Sequence, residues 1–233
     1  MIHMKLAEAF AFSAPVVCAV ICMIMMLMDA HARRSNPVER RLRLFLAFAY
    51  LVSLLGWLGM VFFVLSPRVF VYYYTVFLLT LMLDQVMIYR FVSIITNTGE
   101  HPKFNRLHLI IPLLIIAVSA TGSLLVPVDR QMDIIYGDAG YNSWFRVMYV
   151  TATVIFVVYN SLYPALNLRN IRRYREFIVN YSADAYYTSL NWQTIIQVLI
   201  LVTVPLPFAG LLIGVPVAAV SSLLLFGALA YFI

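Results

Sequence analysis

VFVYYYTVFLLTLMLDQVMIYRFVSIIT, residues 69–96, decides the fold of this chain. The stretch is apolar for long enough to cross a hydrocarbon core of about 30 Å, which takes roughly 20 helical residues. It holds a single carboxylate, Asp84, among aliphatic and aromatic neighbours. Working outward, six further stretches share this character. The candidate spans are Phe10–Met28, Leu44–Leu65, Val69–Thr96, Leu107–Val126, Trp144–Leu166, Asn191–Gly210 and Leu212–Ile233. The expectation is an all-α, polytopic integral membrane protein built as one domain of seven transmembrane helices. Composition agrees. The 233 residues are 64% hydrophobic and 11% charged, with a mean hydropathy of +0.92, against about 25% charged residues in soluble domains.

Basic residues set the orientation. The connection after span one carries Arg33, Arg34, Arg40, Arg41 and Arg43, that after span three Arg90, Lys103 and Arg106, and that after span five Arg169, Arg172, Arg173 and Arg175. The opposite side holds only Lys5, Arg68, Arg130 and Arg146. Twelve against four places the N-terminus outside and the C-terminus in the cytoplasm. The net charge of +6 follows from this bias and needs no nucleic-acid partner. The first span lacks a basic leader and is followed by arginines, so it reads as an anchor and not as a cleaved signal. Ser66-Pro67 is expected to cap and open span three, and Asn142-Ser143 to cap span five. Pro205, Pro207, Gly210, Gly214 and Pro216 mark a break between spans six and seven. Pro112 and Pro164 promise smaller bends. Tyr72, Tyr73 and Tyr74 are expected at an aromatic belt.

Two connecting pieces carry further signals. Residues 127–143 read as an exposed acidic loop with Asp129, Asp133 and Asp138. Within 167–190, Ile171, Tyr174, Ile178 and Tyr181 recur at helical spacing with arginines on the other faces. That pattern predicts an amphipathic helix over 168–181, on or emerging from the inner membrane surface.

Polar residues inside spans carry the functional information, because each is costly there. A charged Asp at the centre of a span costs about 2.5–3.5 kcal/mol on insertion scales. Asp84 lies about fifteen residues, or roughly 22 Å, from the outer end of its helix. With Gln85 beside it, and Asn160 and Gln197 at a similar depth, it predicts a polar layer in the inner half of the bundle. Interhelical hydrogen bonding alone is the competing account of the same residues. Arg90 sits where an arginine reaches the headgroups. Cys18 and Cys22 read as small packing residues, and His101 and His108 as solvated neighbours of span four.

Catalytic chemistry is not expected. An aspartyl protease needs a second buried carboxylate, and the four histidines are scattered. No nucleophile elbow, metalloprotease helix or phosphate-cradling loop occurs. A retinal Schiff base needs a lysine within a span, and Lys5 and Lys103 lie outside them. No cofactor or metal is expected.

RRYREFIVNYSAD (residues 172–184), TSLNW (188–192) and Pro205-Leu206-Pro207 resemble the membrane region of bacterial regulators. In those proteins a multi-helix membrane part is joined to a cytoplasmic AraC-type helix-turn-helix domain, or in related architectures to a histidine kinase. The resemblance implies a sensor or anchor whose DNA-binding effector would lie beyond Ile233, and it supplies no ligand residues. The reading that follows is a bacterial inner-membrane signalling domain. It would relay an extracytoplasmic or membrane-borne ligand to a cytoplasmic effector, with Arg90, Arg172, Arg173, Arg175, Pro205, Pro207 and Pro216 as coupling elements and a homodimer as its assembly. The alternatives are a small transporter or channel using Asp84 as a proton or cation site, and a membrane scaffold.

Overall fold

The computed structural model describes residues 2–32, 36–97, 106–136, 144–178 and 190–203. Among these residues every regular element is an α-helix: α1 (Ile2–Ala32), α2 (Pro37–Leu65), α3 (Pro67–Ile95), α4 (Leu107–Leu125), α5 (Val128–Tyr136), α6 (Trp144–Ile178) and α7 (Asn191–Thr203). Five of them, α1 over Ala9–Ala32 and the whole of α2, α3, α4 and α6, are long and apolar enough to cross a membrane. The chain is therefore a helical membrane protein in its architecture. The end of span six, span seven, and with them Pro205, Pro207 and Pro216 lie outside the described residues, as do Asn142-Ser143, His101 and Asp138.

α3 is the hub, packing against α2, α4, α5 and α6, while α1 lies along α2 and α7 along α6. Its apolar side chains point in several directions at once: Phe70, Tyr74, Phe77, Leu78, Met82 and Val86 are all buried in one core with Phe12, Met60, Phe156 and Tyr159. Ring contacts run through this core, with Phe63–Phe70 and Phe70–Phe77 meeting edge to face at 5.1 and 5.5 Å. Such pairs add about 0.5–1.5 kcal/mol beyond the area they bury.

Several expectations need correction. Ser66 is at once the C-cap of α2 and the N-cap of α3, and its backbone N–H bonds to the Phe62 carbonyl while its side chain caps nothing. The side-chain cap is instead at Asn36, whose Oδ1 accepts from the N–H groups of Val38 and Glu39 at 3.2 and 3.3 Å. Asn36 Nδ2 donates to the Glu39 carboxylate at 3.0 Å, so the two residues cap each other. The tyrosine run divides: Tyr72 is exposed, Tyr73 donates to the Leu55 carbonyl at 2.7 Å, and Tyr74 is buried. Helical periodicity sends three successive residues to three directions, so they form no belt.

The acidic loop is also partly ordered, as α5. Gln131, buried there, donates to the carbonyls of Ser123 and Val126 at 2.8 and 2.6 Å, which satisfies the end of α4. Tyr136 stacks on Phe63 at 4.9 Å and donates to its carbonyl. Asp129 meets Arg68 at 3.5 Å with both side chains exposed, a pair worth little. Last, the basic segment after span five is no separate surface helix up to Ile178. It continues α6, a single helix of 35 residues that keeps Pro164 inside it.

α2 and α3 approach closely where α2 has no side chains. A Cβ at Gly59 would collide with the Phe77 ring, and one at Gly56 with Leu81. Small residues three apart allow this backbone contact. Gly59→Ala is expected to lower stability by about 1–3 kcal/mol through overpacking, read as a lower thermal midpoint in detergent. A variant as stable as the parent protein would show that the contact yields freely.

Candidate functional site

The faces of five helices converge on one cavity of about 570 Å³. On α3, Leu81, Asp84, Gln85 and Ile88 line it, spaced three, four and seven apart as one helical face requires. α2 contributes Tyr50, Ser53, Trp57 and Met60 at the same spacing, and α7 contributes Gln193, Ile196, Gln197 and Ile200. α1 adds Cys22, Met25 and Met26, and α6 adds Phe156 and Asn160. Its volume falls within the range of small-molecule sites, and its make-up of apolar and aromatic walls with a few convergent polar groups is typical of them.

Among the described residues, two ionisable side chains line the cavity, Asp84 and Arg43. Arg43 is compensated: its Nε lies 2.8 Å from the Asp29 carboxylate, and its guanidinium also reaches the Met26 sulfur at 3.8 Å. Asp84 is held by a side-chain hydrogen bond from Ser53. Next to it Gln85, 4% exposed, leaves its Oε1 without a hydrogen-bond partner among the described residues. Gln197, fully buried, accepts from Asn167 Nδ2 at 3.0 Å, but its own Nε2 has no partner among them. Buried amide groups left unpaired cost about 1–3 kcal/mol each, so a cavity wall carrying an open acceptor and an open donor is poised to receive a polar group.

Of the residues singled out by sequence, Asp84, Gln85, Asn160 and Gln197 all lie on this cavity wall. Asn160 is buried and its Nδ2 donates to the Phe156 carbonyl at 2.9 Å within its own helix. Arg90 is half-buried near the end of α3, away from the lining. Arg172 pairs with Glu176 at 3.2 Å on an exposed face, and Arg173 is likewise exposed. Arg175 instead bridges helices, donating to Thr194 Oγ1 of α7. Sequence reasoning missed Ser53, Tyr50 and Asn167. Asn167 had a signal, since it sits two turns beyond Asn160 and so on the same face of α6.

His108 also departs from expectation, being no solvated bystander. Tyr159 donates to the His108 carbonyl at 2.6 Å, Tyr163 donates to Tyr159 at 3.1 Å, and His108 Nδ1 lies 2.7 Å from the Tyr163 hydroxyl. Each phenol has one proton, so all three links form together only when His108 Nδ1 carries a hydrogen and donates it. The closed loop fastens α4 to α6, with the Tyr89 ring of α3 5.2 Å from the imidazole. Cys18 and Cys22 are free thiols with sulfurs 4.0 Å apart. No cluster able to hold a metal ion occurs among the described residues.

No protein-family model, curated protein or solved structure matches the chain. Function has to be argued from the cavity itself.

The Asn167–Gln197 bond supports the cavity wall from behind and gives a direct test of the packing. Asn167→Leu strands the Gln197 amide and is expected to cost about 1–3 kcal/mol, whereas Asn167→Leu with Gln197→Leu should recover most of that loss. Chemical unfolding in detergent micelles reads both. A double variant no more stable than the single one would mean that the two amides are not coupled.

Proposed function

We propose that this chain is a membrane-embedded sensor domain, in which the cavity between α1, α2, α3, α6 and α7 takes a small ligand and the α6–α7 pair passes its occupancy to a cytoplasmic effector. The same proposal includes the finer topology: seven spans, N-terminus outside, C-terminus in the cytoplasm of a bacterial inner membrane, the charge asymmetry being its support. The observation that carries the reading is the physical continuity between cavity and arginine-rich end. α6 lines the cavity with Phe156 and Asn160, then runs on without interruption to Ile178. Over that extension it is tied to the cavity-lining α7 through Asn167–Gln197 and Arg175–Thr194. A ligand that repacks Gln197 or Asn160 therefore acts on both helices of the pair. Signalling of this kind needs only two packings with different affinities for the ligand.

Asp84 on the cavity wall supports a second reading, a small proton- or cation-coupled transporter. Proteoliposomes discriminate the two: cation or proton flux lost in Asp84→Asn belongs to the transporter, and no flux to the sensor.

Coupling has its own test. Ala49 is buried at the cavity wall, and Ala49→Trp should fill the space as a ligand would. Amide hydrogen exchange over 169–178 and 191–201 is expected to change in this variant. Exchange there indifferent to cavity filling would end the relay reading. For topology, Ala139→Cys should react with an impermeant maleimide in intact cells and Glu100→Cys only after lysis. The reverse pattern would invert the proposed orientation.

A further inference from the structure

We infer that the ligand of this cavity is an amphipathic organic cation, an apolar or aromatic body carrying an N–H-bearing ammonium group. The inference rests on the proposed sensor reading and specifies the chemistry of that same site.

Three features converge on it. The first is charge. Of the two ionisable residues in the described lining, Arg43 already has its counter-ion in Asp29 at 2.8 Å, while Asp84 meets the neutral Ser53 hydroxyl and no cation among the described residues. In a low-dielectric wall the uncompensated member of the set decides which charge is attracted. The second is hydrogen bonding. Gln85, one residue further on α3 and also in the lining, has a buried Oε1 with no partner among the described residues, an acceptor that a donor-rich group would meet once this side chain turns toward the space. An ammonium has several N–H donors and no acceptor, which suits Asp84 and Gln85 and leaves the Gln197 Nε2 donor to the rest of the ligand; a carboxylate or phosphate would face both oxygens with its own. The third is the body of the cavity. Trp57 and Trp192 are in the lining, and indole rings favour cations, while Met25 and Met60 add soft, adaptable surface. At about 570 Å³ the space suits a ligand of drug size and excludes nothing smaller.

One apolar body with three headgroups tests this in the full chain reconstituted in phosphatidylcholine nanodiscs: 4-phenylbutylamine as its ammonium, the neutral isostere 4-phenylbutanol, and the anion 5-phenylvalerate. Trp57 and Trp192 line the cavity, so saturable change in tryptophan fluorescence reports occupancy. Trp144, at the far end of α6, is exposed and is silenced as Trp144→Phe. Empty nanodiscs subtract membrane partition. The expected result is that the ammonium binds at least about tenfold more tightly than the alcohol, the worth of one charge-assisted hydrogen bond. The anion should not compete. Asp84→Asn should remove most of the advantage, and Gln85→Leu a smaller part.

Saturable binding of the alcohol or the anion as tight as that of the ammonium overturns the charge inference while leaving the cavity a ligand site. Absence of saturable binding by all three probes, together with unchanged amide exchange over 169–178 and 191–201 in Ala49→Trp, overturns the inference and the sensor reading together. The comparison of headgroups is made on the unaltered cavity, so it stands even where Asp84→Asn fails to fold.

Discussion

A polar group surrounded by hydrocarbon has no water to turn to, and that constraint shapes everything in this protein. The backbone answers by being helical throughout the described residues. Side chains answer by crossing between helices, as when Tyr73 of α3 reaches the Leu55 carbonyl of α2, or Tyr159 of α6 the His108 carbonyl of α4. Ser53 reaches Asp84 across the same α2–α3 contact that Gly56 and Gly59 bring close. α3 can be the hub because nearly every direction around it is occupied by another helix. Its carboxylate is tolerable for the same reason.

Some groups escape this rule among the described residues: Tyr74, Ser119, Ser123 and Asn167 away from the cavity, and two glutamines on its wall. Gln85 and Gln197 are both buried, both lack a full set of partners among the described residues, and both face the cavity. Other polar groups close on each other tightly, down to a loop of three hydrogen bonds around His108 that uses one proton per phenol. Asn160 and Asn167 each donate through Nδ2 within the protein, while Gln85 Oε1 has no partner among the described residues.

Much of the architecture was legible because membrane helices advertise themselves by length and apolarity, and α2, α3, α4 and α6 lie close to the stretches read from sequence. What escaped was whatever depends on a neighbour. The tyrosines at 72–74 look alike in sequence, yet only their phases around α3 separate lipid from core. Residues 127–136 are polar enough to read as loop, and become a helix because Gln131 and Tyr136 find carbonyls on α4 and α2. Ser66-Pro67 has the right letters for a cap but no room, since one residue serves both helices. At the site, depth counting sufficed to group Asp84, Gln85, Asn160 and Gln197. It had no means of finding Ser53, whose role exists only through its facing carboxylate, or the ion pair that leaves Arg43 without a claim on the ligand.

The unbroken α6 has a mechanical consequence. Its 35 residues are about 52 Å long, well beyond a hydrocarbon thickness of about 30 Å. From Asn160 on the cavity wall to Ile178 is about 27 Å of stiff rod. A pivot of roughly 10° at the cavity therefore swings the far tip by about 5 Å, near one helical turn. On the proposed sensor reading, a small rearrangement around a bound molecule would be geared up along α6 into a larger displacement of its far end, with the helix as a lever arm and its fulcrum at Asn160.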